Sequence, residues 1–388
     1  MNTCIFKTAM LQYVKLFVFH AIVFFAVACS PSDKGEAECL VHSTKVCNKS
    51  VNLSELLSSY KIIPLETHPD GLIGASIQKI VKRNEHYYIR TDGIRLLEFD
   101  ESGRFVRKIS NQGTGPGEYA YMKDFDVDQD RIAILEYRKI HCFSPDGEYL
   151  YSIPLSVNAT NIKLLPEGNI LLKTNKDIAF CLIDSDGKVV EDFLKMDMAL
   201  TMGREFGFYK ARDKVFYFSS MAANNIWRYD IFSRKGQRVP VFEFPDTISV
   251  KEENRLISEV GFEYILNNTN DVKVRPISVS GDFLIAYVYK TEADAMIYFC
   301  HLPSSSATGY FVKNITDDIL FQPSPASISY AMYGQSEKSF ITYLYPYQLD
   351  QQKNPVNTQA YRSLQNMFNV LGDENEANPV LFEFTPKY

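Results

Sequence analysis

The chain has 388 residues and a formal net charge of −6, and no segment concentrates its lysines and arginines. This charge pattern argues against nucleic acid as a partner. Its 24 tyrosines and 27 phenylalanines favour a fold built from β-strands.

The first distinct segment is an N-terminal export signal. A basic start precedes an apolar stretch from Leu16 to Val27 that contains His20 and is short for a bilayer span. The small residues directly before Cys29 resemble a bacterial lipobox. We therefore predict a lipoprotein signal peptide over residues 1–28, with Cys29 as the acylated first residue that anchors the protein to a membrane. The alternative is a plain signal peptide with an incidental cysteine, and either Met1 or Met10 could be the start site.

Residues 29–52 are polar and are interpreted as a tether. Cys39 and Cys47 lie close together in it and could form a disulfide in an oxidising compartment. The three later cysteines lie within apolar strand patterns, which predicts small buried side chains without a redox role: Cys142, Cys181 and Cys300.

Removing the signal leaves 360 of the 388 residues, a length that suggests several domains unless the fold is a closed or repeated β architecture. One strand–turn unit recurs, with turn glycines at positions 103, 147, 187 and 236, which are 44, 40 and 49 residues apart. This period is typical of propeller blades of about 40–50 residues with four strands each. Glycine in these turns supplies the positive φ of a tight hairpin.

Six blades follow from these turns. They are expected at Ile77–Ile109, Asp124–Leu155, Asn161–Leu194, Phe206–Phe244, about Arg275–Val312, and from near Ser327 to the terminal strand Val380–Phe384.

The sixth blade lacks a strand in its own sequence, and Tyr60–Leu65 could supply it from the N-terminal end. Strands from both termini would then close the ring of an all-β, six-bladed propeller over residues 53–388. A polar, helix-permissive insertion is expected at about 348–376. A solenoid or two separate sandwiches would explain the strand count but not the orphan strand at each end.

Three stretches carry a family resemblance: Leu72–Ile80, Leu96–Ile109 and the element Gly113-Thr114-Gly115-Pro116-Gly117-Glu118-Tyr119. Together they resemble the six-bladed β-propeller lipoproteins that are abundant in Bacteroides-type bacteria. The resemblance covers about Leu53–Leu155. It implies the fold and a place in the cell envelope, and it transfers no catalytic residues.

The Gly113–Tyr119 loop is interpreted as a crossing between blades, where glycines permit close backbone approach. It lacks the spacing of a phosphate-binding loop. The alternative is a ligand-contact role for Glu118 and Tyr119.

The run from Asp124 to Asp130 is the strongest candidate for a metal site. Its alternation places Asp124, Asp126 and Asp128 on one strand face, and carboxylate oxygens suit Ca²⁺. Gln129 stands where an EF-hand loop requires glycine, and the competing interpretation is an inner strand that enters an acidic turn.

No Gly-x-Ser-x-Gly or His-Glu-x-x-His motif occurs, and Trp227 is expected to pack within a blade. The sequence therefore favours a lipid-anchored scaffold or binding protein of the cell envelope. Its expected partner is an envelope protein or a small ligand. The expected location is the outer membrane, facing the periplasm or the cell surface. The alternative is a metal-dependent hydrolase or lyase of the lactonase kind, with its site at the central channel.

Overall fold

Six small antiparallel sheets form a ring in the computed structural model of the chain, which is therefore a six-bladed β-propeller as predicted. The structure describes residues 38–388 except 75, 92–93, 110, 203–206, 219–221, 262, 266–270, 323–327, 329, 351–358, 360–361, 365 and 368–376. Cys29 and most of the expected insertion lie outside the described residues. Among the described residues, no helix is long and apolar enough to cross a membrane.

The strands before and within the first three blades are β1 (Ser43–Cys47), β2 (Val51–Asn52), β3 (Leu57–Pro64), β4 (Ile77–Arg83), β5 (His86–Thr91), β6 (Arg95–Phe99), β7 (Phe105–Lys108), β8 (Asp124–Val127), β9 (Ile132–Leu135), β10 (Lys139–Phe143), β11 (Tyr149–Pro154), β12 (Ala159–Leu164), β13 (Ile170–Thr174), β14 (Ile178–Ile183) and β15 (Val189–Lys195).

The later strands are β16 (Phe208–Ala211), β17 (Lys214–Tyr217), β18 (Asn225–Asp230), β19 (Lys235–Pro240), β20 (Lys273–Ser280), β21 (Phe283–Tyr289), β22 (Met296–His301), β23 (Ser306–Phe311), β24 (Ile315–Thr316), β25 (Gly334–Gln335), β26 (Phe340–Leu344) and β27 (Val380–Pro386). The α-helices are α1 (Leu53–Leu56), α2 (Met198–Met202), α3 (Val250–Val260) and α4 (Tyr347–Asp350).

Blades one to five each contain four consecutive strands, beginning with β4, β8, β12, β16 and β20. These five innermost strands and β25 contact one another in sequence around the ring, and β25 pairs in parallel with β4 to close it. Blade six is completed by β26, β27 and β3, in that order. The predicted N-terminal closing strand is therefore confirmed, with Val380 opposite Pro64 in the register of β27 and β3.

Packing between neighbouring blades forms the core. Between blades two and three the contact is aliphatic, and it includes Cys142 and Cys181, which are buried as predicted. Between blades three and four it is aromatic, because the fully buried Trp227 stacks on Phe180 with ring centroids 4.0 Å apart. Trp227 is therefore a core residue, as its sequence context predicted.

Helix α3 lies between blades four and five, in a stretch for which the sequence analysis made no prediction. Ser249 caps it by accepting a hydrogen bond from the Glu252 amide at 3.1 Å. Glu253 is fully buried, and its Oε1 accepts the Ala222 amide at 2.9 Å. The helix thereby satisfies a backbone group at the edge of blade four.

Candidate functional site

The central channel is filled by polar side chains from several blades. Lys79 donates to Asp124 Oδ1 at 2.9 Å, and Lys163 donates to Asp126 Oδ1 at 2.8 Å. A Cβ atom on Gly207 would meet the Lys79 ammonium at 3.6 Å, which shows how closely blades one and four approach here. Burial lowers the pKa of Lys79, against the opposing influence of the two aspartates.

The two aspartates also join blade two to blade three. Their side chains lie on the same face of β8, as the alternation predicted, and both are almost fully buried. Asp124 accepts the Ile162 amide at 3.0 Å, and Asp126 accepts the Leu164 amide at 2.7 Å. The carboxylates therefore satisfy backbone donors on the inner edge of β12, which has no partner strand on that side.

Asp128 has a different role, because it follows the end of β8 in a turn. Its Oδ1 accepts the amides of Asp130 and Arg131, both at 2.9 Å. The arrangement matches the competing interpretation, an inner strand that enters an acidic turn. The Ca²⁺ prediction for Asp124, Asp126 and Asp128 remains a prediction, although other donors now occupy these oxygens.

At one end of the channel is a small depression lined by Lys82, Arg83 and Lys210, among others. Glu337 links two of these cations, lying 2.7 Å from Arg83 and 2.8 Å from Lys210. Burial raises the pKa of Glu337, but these two partners outweigh it and the net shift is downward. The free volume is about 30 Å³. Since one water needs about 10–15 Å³, the depression has room for two or three water molecules or a small ion.

The Gly113–Tyr119 loop connects blades one and two, as interpreted from the sequence. Glu118 Oε2 accepts the Gly115 amide at 2.8 Å, and a Cβ atom on Gly113 would overlap this carboxylate. Tyr119 is fully buried, and its hydroxyl donates to the Ile94 carbonyl at 2.8 Å. The glycines thus permit the close approach that was expected. The ligand role of Glu118 and Tyr119 remains a prediction.

The expected pairing of Cys39 with Cys47 is not present. The two cysteines form no disulfide with each other, because β1 extends between them and places Cys47 opposite Tyr310 on β23. Cys39 instead lies before the strand, where its thiol contacts His42. A strand rises about 3.3 Å per residue, so the two ends of β1 are too far apart for a disulfide.

A larger groove of about 280 Å³ lies between blades five and six. Strands β21, β22 and β23 contribute one face of blade five, with Phe283, Phe299 and Tyr310 lining the groove. Opposite them are the end of α1 and the C-terminal residues Lys387 and Tyr388. We call this the blade five–six groove.

Aromatic rings form a connected surface in this groove. Phe299 and Tyr310 meet edge to face, with centroids 6.2 Å apart. His301 lies between Phe283, at 5.3 Å, and Tyr388, at 3.9 Å. Burial raises the pKa of Tyr310, so its phenol remains a neutral hydrogen-bonding group.

Polar groups accompany the rings: the hydroxyls of Ser306 and Thr308 on blade five, and the charges of Glu55 and Lys387 opposite. Small-molecule sites are typically concave, with an apolar lining and a few polar groups that fix orientation. The groove has this composition and nearly the usual volume of about 300–1,000 Å³. The groove could not be predicted from the sequence, because its aromatic residues share the alternation of ordinary core positions.

The chain belongs to the family described as a domain of unknown function, DUF4934, which matches residues 41–385. No functionally curated protein shows significant similarity to the sequence.

One solved structure supports the fold, and two others have a weaker likeness. A provisionally named exported protein of Bacteroides fragilis NCTC 9343 is 19% identical, with a TM-score of 0.66, covering 89% of this chain and 100% of its own. A DUF4221 member from Bacteroides vulgatus ATCC 8482 is 11% identical, with a TM-score of 0.44 and coverage of 86% and 98%. A virginiamycin B lyase from Staphylococcus aureus is 13% identical, with a TM-score of 0.39 and coverage of 66% and 75%. The last two scores are too low to carry an argument about fold or function.

Proposed function

We propose that this protein is a lipid-anchored binding protein of the cell envelope and that its ligand lies in the blade five–six groove. The anchor rests on the sequence before Cys29, which has the order of a lipoprotein signal. The location that follows is the outer membrane, facing the periplasm or the cell surface. The observation that carries the binding role is the aromatic groove of about 280 Å³, since the depression at one end of the central channel has a free volume of only about 30 Å³.

The lining indicates the chemistry of the ligand. The partly buried Phe283 and Tyr310 offer flat apolar surfaces with the buried Phe299 beneath them, and Ser306 and Thr308 offer hydroxyls beside them. Aromatic side chains stabilise a ligand through burial and ring stacking, whereas hydroxyls orient its polar edge. The proposed ligand is therefore a small amphipathic molecule, or one side chain of a protein partner, with a flat apolar face.

The proposal can be tested by filling the groove with a large side chain. Thr308→Trp places a large ring in the groove from a half-buried position on β23, and Thr44→Trp places the same ring on the exposed side of neighbouring β1. The full chain in mild detergent would be titrated with anilinonaphthalene sulfonate, an aromatic dye with a polar group. We expect saturable dye binding that survives Thr44→Trp and is lost in Thr308→Trp. Equal binding by all three proteins would contradict a ligand site in the groove.

The natural ligand can be sought with the same pair of variants. Each protein would be purified from its native membrane and denatured, and the released small molecules compared by mass spectrometry. A compound released by the wild type and Thr44→Trp but not by Thr308→Trp would be the ligand. An envelope protein that cross-links to the wild type and to Thr44→Trp but not to Thr308→Trp would instead be a protein partner.

The alternative of a metal-dependent hydrolase or lyase at the central channel receives less support. Such an enzyme needs carboxylates free to hold an ion and space beside it for a substrate. Asp124 and Asp126 are engaged by lysines and backbone amides, and the adjoining depression has a free volume of about 30 Å³.

A further inference from the structure

Three chemically different ligand atoms meet where the N-terminal segment joins the propeller. Cys39 Sγ lies 3.3 Å from His42 Nδ1 and 3.5 Å from Glu243 Oε1, and the last two atoms are 2.8 Å apart. Among the residues that the structure describes, this is the one group of three such side chains whose ligand atoms lie within 4.8 Å of one another. The site is separate from the channel and from the blade five–six groove.

The backbone holds these side chains in place. Leu40 and Val41 are buried, and their amides donate to the carbonyls of Pro240 and Val241 at 3.0 and 2.9 Å. The His42 amide then donates to Ser305 in blade five at 2.8 Å. The N-terminal segment is thus fixed to blades four and five on either side of the cluster, so little ordering is left for a bound ion to impose.

The arrangement differs from a proton relay. A relay through histidine uses both ring nitrogens, one toward the nucleophile and one toward the carboxylate. Here Cys39 and Glu243 both approach the same atom, Nδ1 of His42. Convergence of sulfur, nitrogen and oxygen on one point is the pattern of ligands around a cation.

The separations suit zinc. Zinc–ligand bonds of about 2.0–2.3 Å in a tetrahedron put neighbouring ligand atoms roughly 3.4–3.6 Å apart. The two separations that involve Cys39 Sγ, 3.3 and 3.5 Å, are close to these values. The shorter contact between His42 and Glu243 would open by about 0.6 Å, which their partly exposed side chains allow.

We propose that Cys39, His42 and Glu243 form a binding site for a divalent zinc ion that fastens the N-terminal segment to blade four. A water molecule completes the tetrahedron, since three protein ligands leave one position open. The thiol loses its proton on binding, as a zinc-bound cysteine is a thiolate. The ion then adds a cross-link between residues 39–42 and the end of the blade-four outer strand.

Cobalt provides a direct test, because a thiolate bound to Co²⁺ gives a charge-transfer absorption band. The full chain, stripped of metal and kept reduced, would be titrated with Co²⁺ and then with Zn²⁺. We expect a band that saturates at one equivalent and disappears when zinc displaces cobalt. Cys39→Ser should abolish the band. Loss of a residue that only hydrogen-bonds to a metal ligand weakens metal binding by about 10–100-fold. His42→Gln or Glu243→Gln should weaken cobalt binding by more than this, because each removes a ligand.

Cys47→Ser is the matched control, because Cys47 is the other partly exposed thiol at the far end of β1. It should leave the cobalt band unchanged. A second readout is proteolysis: Zn²⁺ should slow cleavage within residues 38–42 of the wild type and of Cys47→Ser, but not of Cys39→Ser. Absence of a band in the folded wild type, or a band that persists in Cys39→Ser, would overturn the proposal.

Discussion

The buried pair of Asp126 and Lys163 offers a sharp test of how the central channel is stabilised. Asp126 is 1% exposed, and its two oxygens accept from the Lys163 ammonium and the Leu164 amide. Asp126→Ala leaves both donors without this acceptor. Removing one partner of a buried pair costs about 3–5 kcal/mol, since the remaining charge is left in a poor environment.

Thermal unfolding converts this loss into a measurable shift. An unfolding entropy of about 2.1 cal/mol/K per residue gives roughly 0.7 kcal/mol/K for a propeller of about 340 residues. The melting temperature should therefore fall by about 4–7 °C in a calorimetric scan. Asp128→Ala is the control, because Asp128 is 27% exposed and loses turn hydrogen bonds and a longer, 3.5 Å contact with Arg131, so a smaller shift of about 1–3 °C is expected.

A double replacement separates the ion pair from a metal site. Asp126→Leu combined with Lys163→Met replaces the pair by apolar groups of similar size, which is often neutral for stability. It should therefore recover part of the melting temperature lost in Asp126→Ala, because the unpaired lysine is removed whereas the Leu164 amide still lacks its acceptor. If Ca²⁺ instead raises the wild-type melting temperature and the Asp126→Ala variant no longer responds, the carboxylates hold a cation and the ion-pair reasoning is wrong.

Further predictions concern the turns and the anchor. Gly103→Ala should destabilise the fold by about 1–3 kcal/mol more than Gly168→Ala in denaturant unfolding: both have a positive φ, but only at Gly103 would a methyl group overlap a backbone carbonyl of the neighbouring blade. Partial burial opposes ionisation of Asp100, but hydrogen bonds from its own turn outweigh it and lower its pKa from 3.8 to about 2. Its stabilisation is then complete above pH 3.8 and lost as the pH falls through about 2, so the stability deficit of Asp100→Asn should shrink across that window. Cys29→Ser should abolish palmitate labelling of the full chain, whereas Cys4→Ser should not. Equal palmitate labelling of the two variants would refute the anchor at Cys29.

The turn glycines show why the fold could be predicted from the sequence. Gly103, Gly147 and Gly187 all have positive φ, and each packs against the outer strand of the preceding blade. The positive φ and the close contact with the preceding blade both require glycine at the same place in successive blades. This requirement produces the regular spacing of glycines in the sequence. In the fourth, looser turn Arg234 takes the positive φ, and Gly236 lies in β19 and makes room for the Trp227 ring.

The contacts of the acidic run from Asp124 to Asp130 could not be predicted from the sequence. Alternation correctly placed Asp124 and Asp126 on one face, because side chains alternate along any strand. It could not show that lysines from blades one and three would face them, since Lys79 and Lys163 lie 45 and 37 residues away. The Glu243 ligand of the N-terminal cluster is 201 residues from His42, so only the first two members could have been noticed in sequence.

The blade five–six groove follows from how the ring is closed. Phe283 and Phe299 lie on strands of blade five, where Phe283 is half-buried and Phe299 is almost fully buried. Blade six is built from strands of both chain ends, and its outer part begins with the short helix α1 and ends at Lys387 and Tyr388. The Lys387 amide donates to the Leu56 carbonyl at 2.8 Å, so these two segments meet beside the groove instead of filling it. Closure by the termini thus leaves the partly buried rings of Phe283 and Tyr310 lining a groove, which makes the seam of the propeller its most suitable place for a ligand.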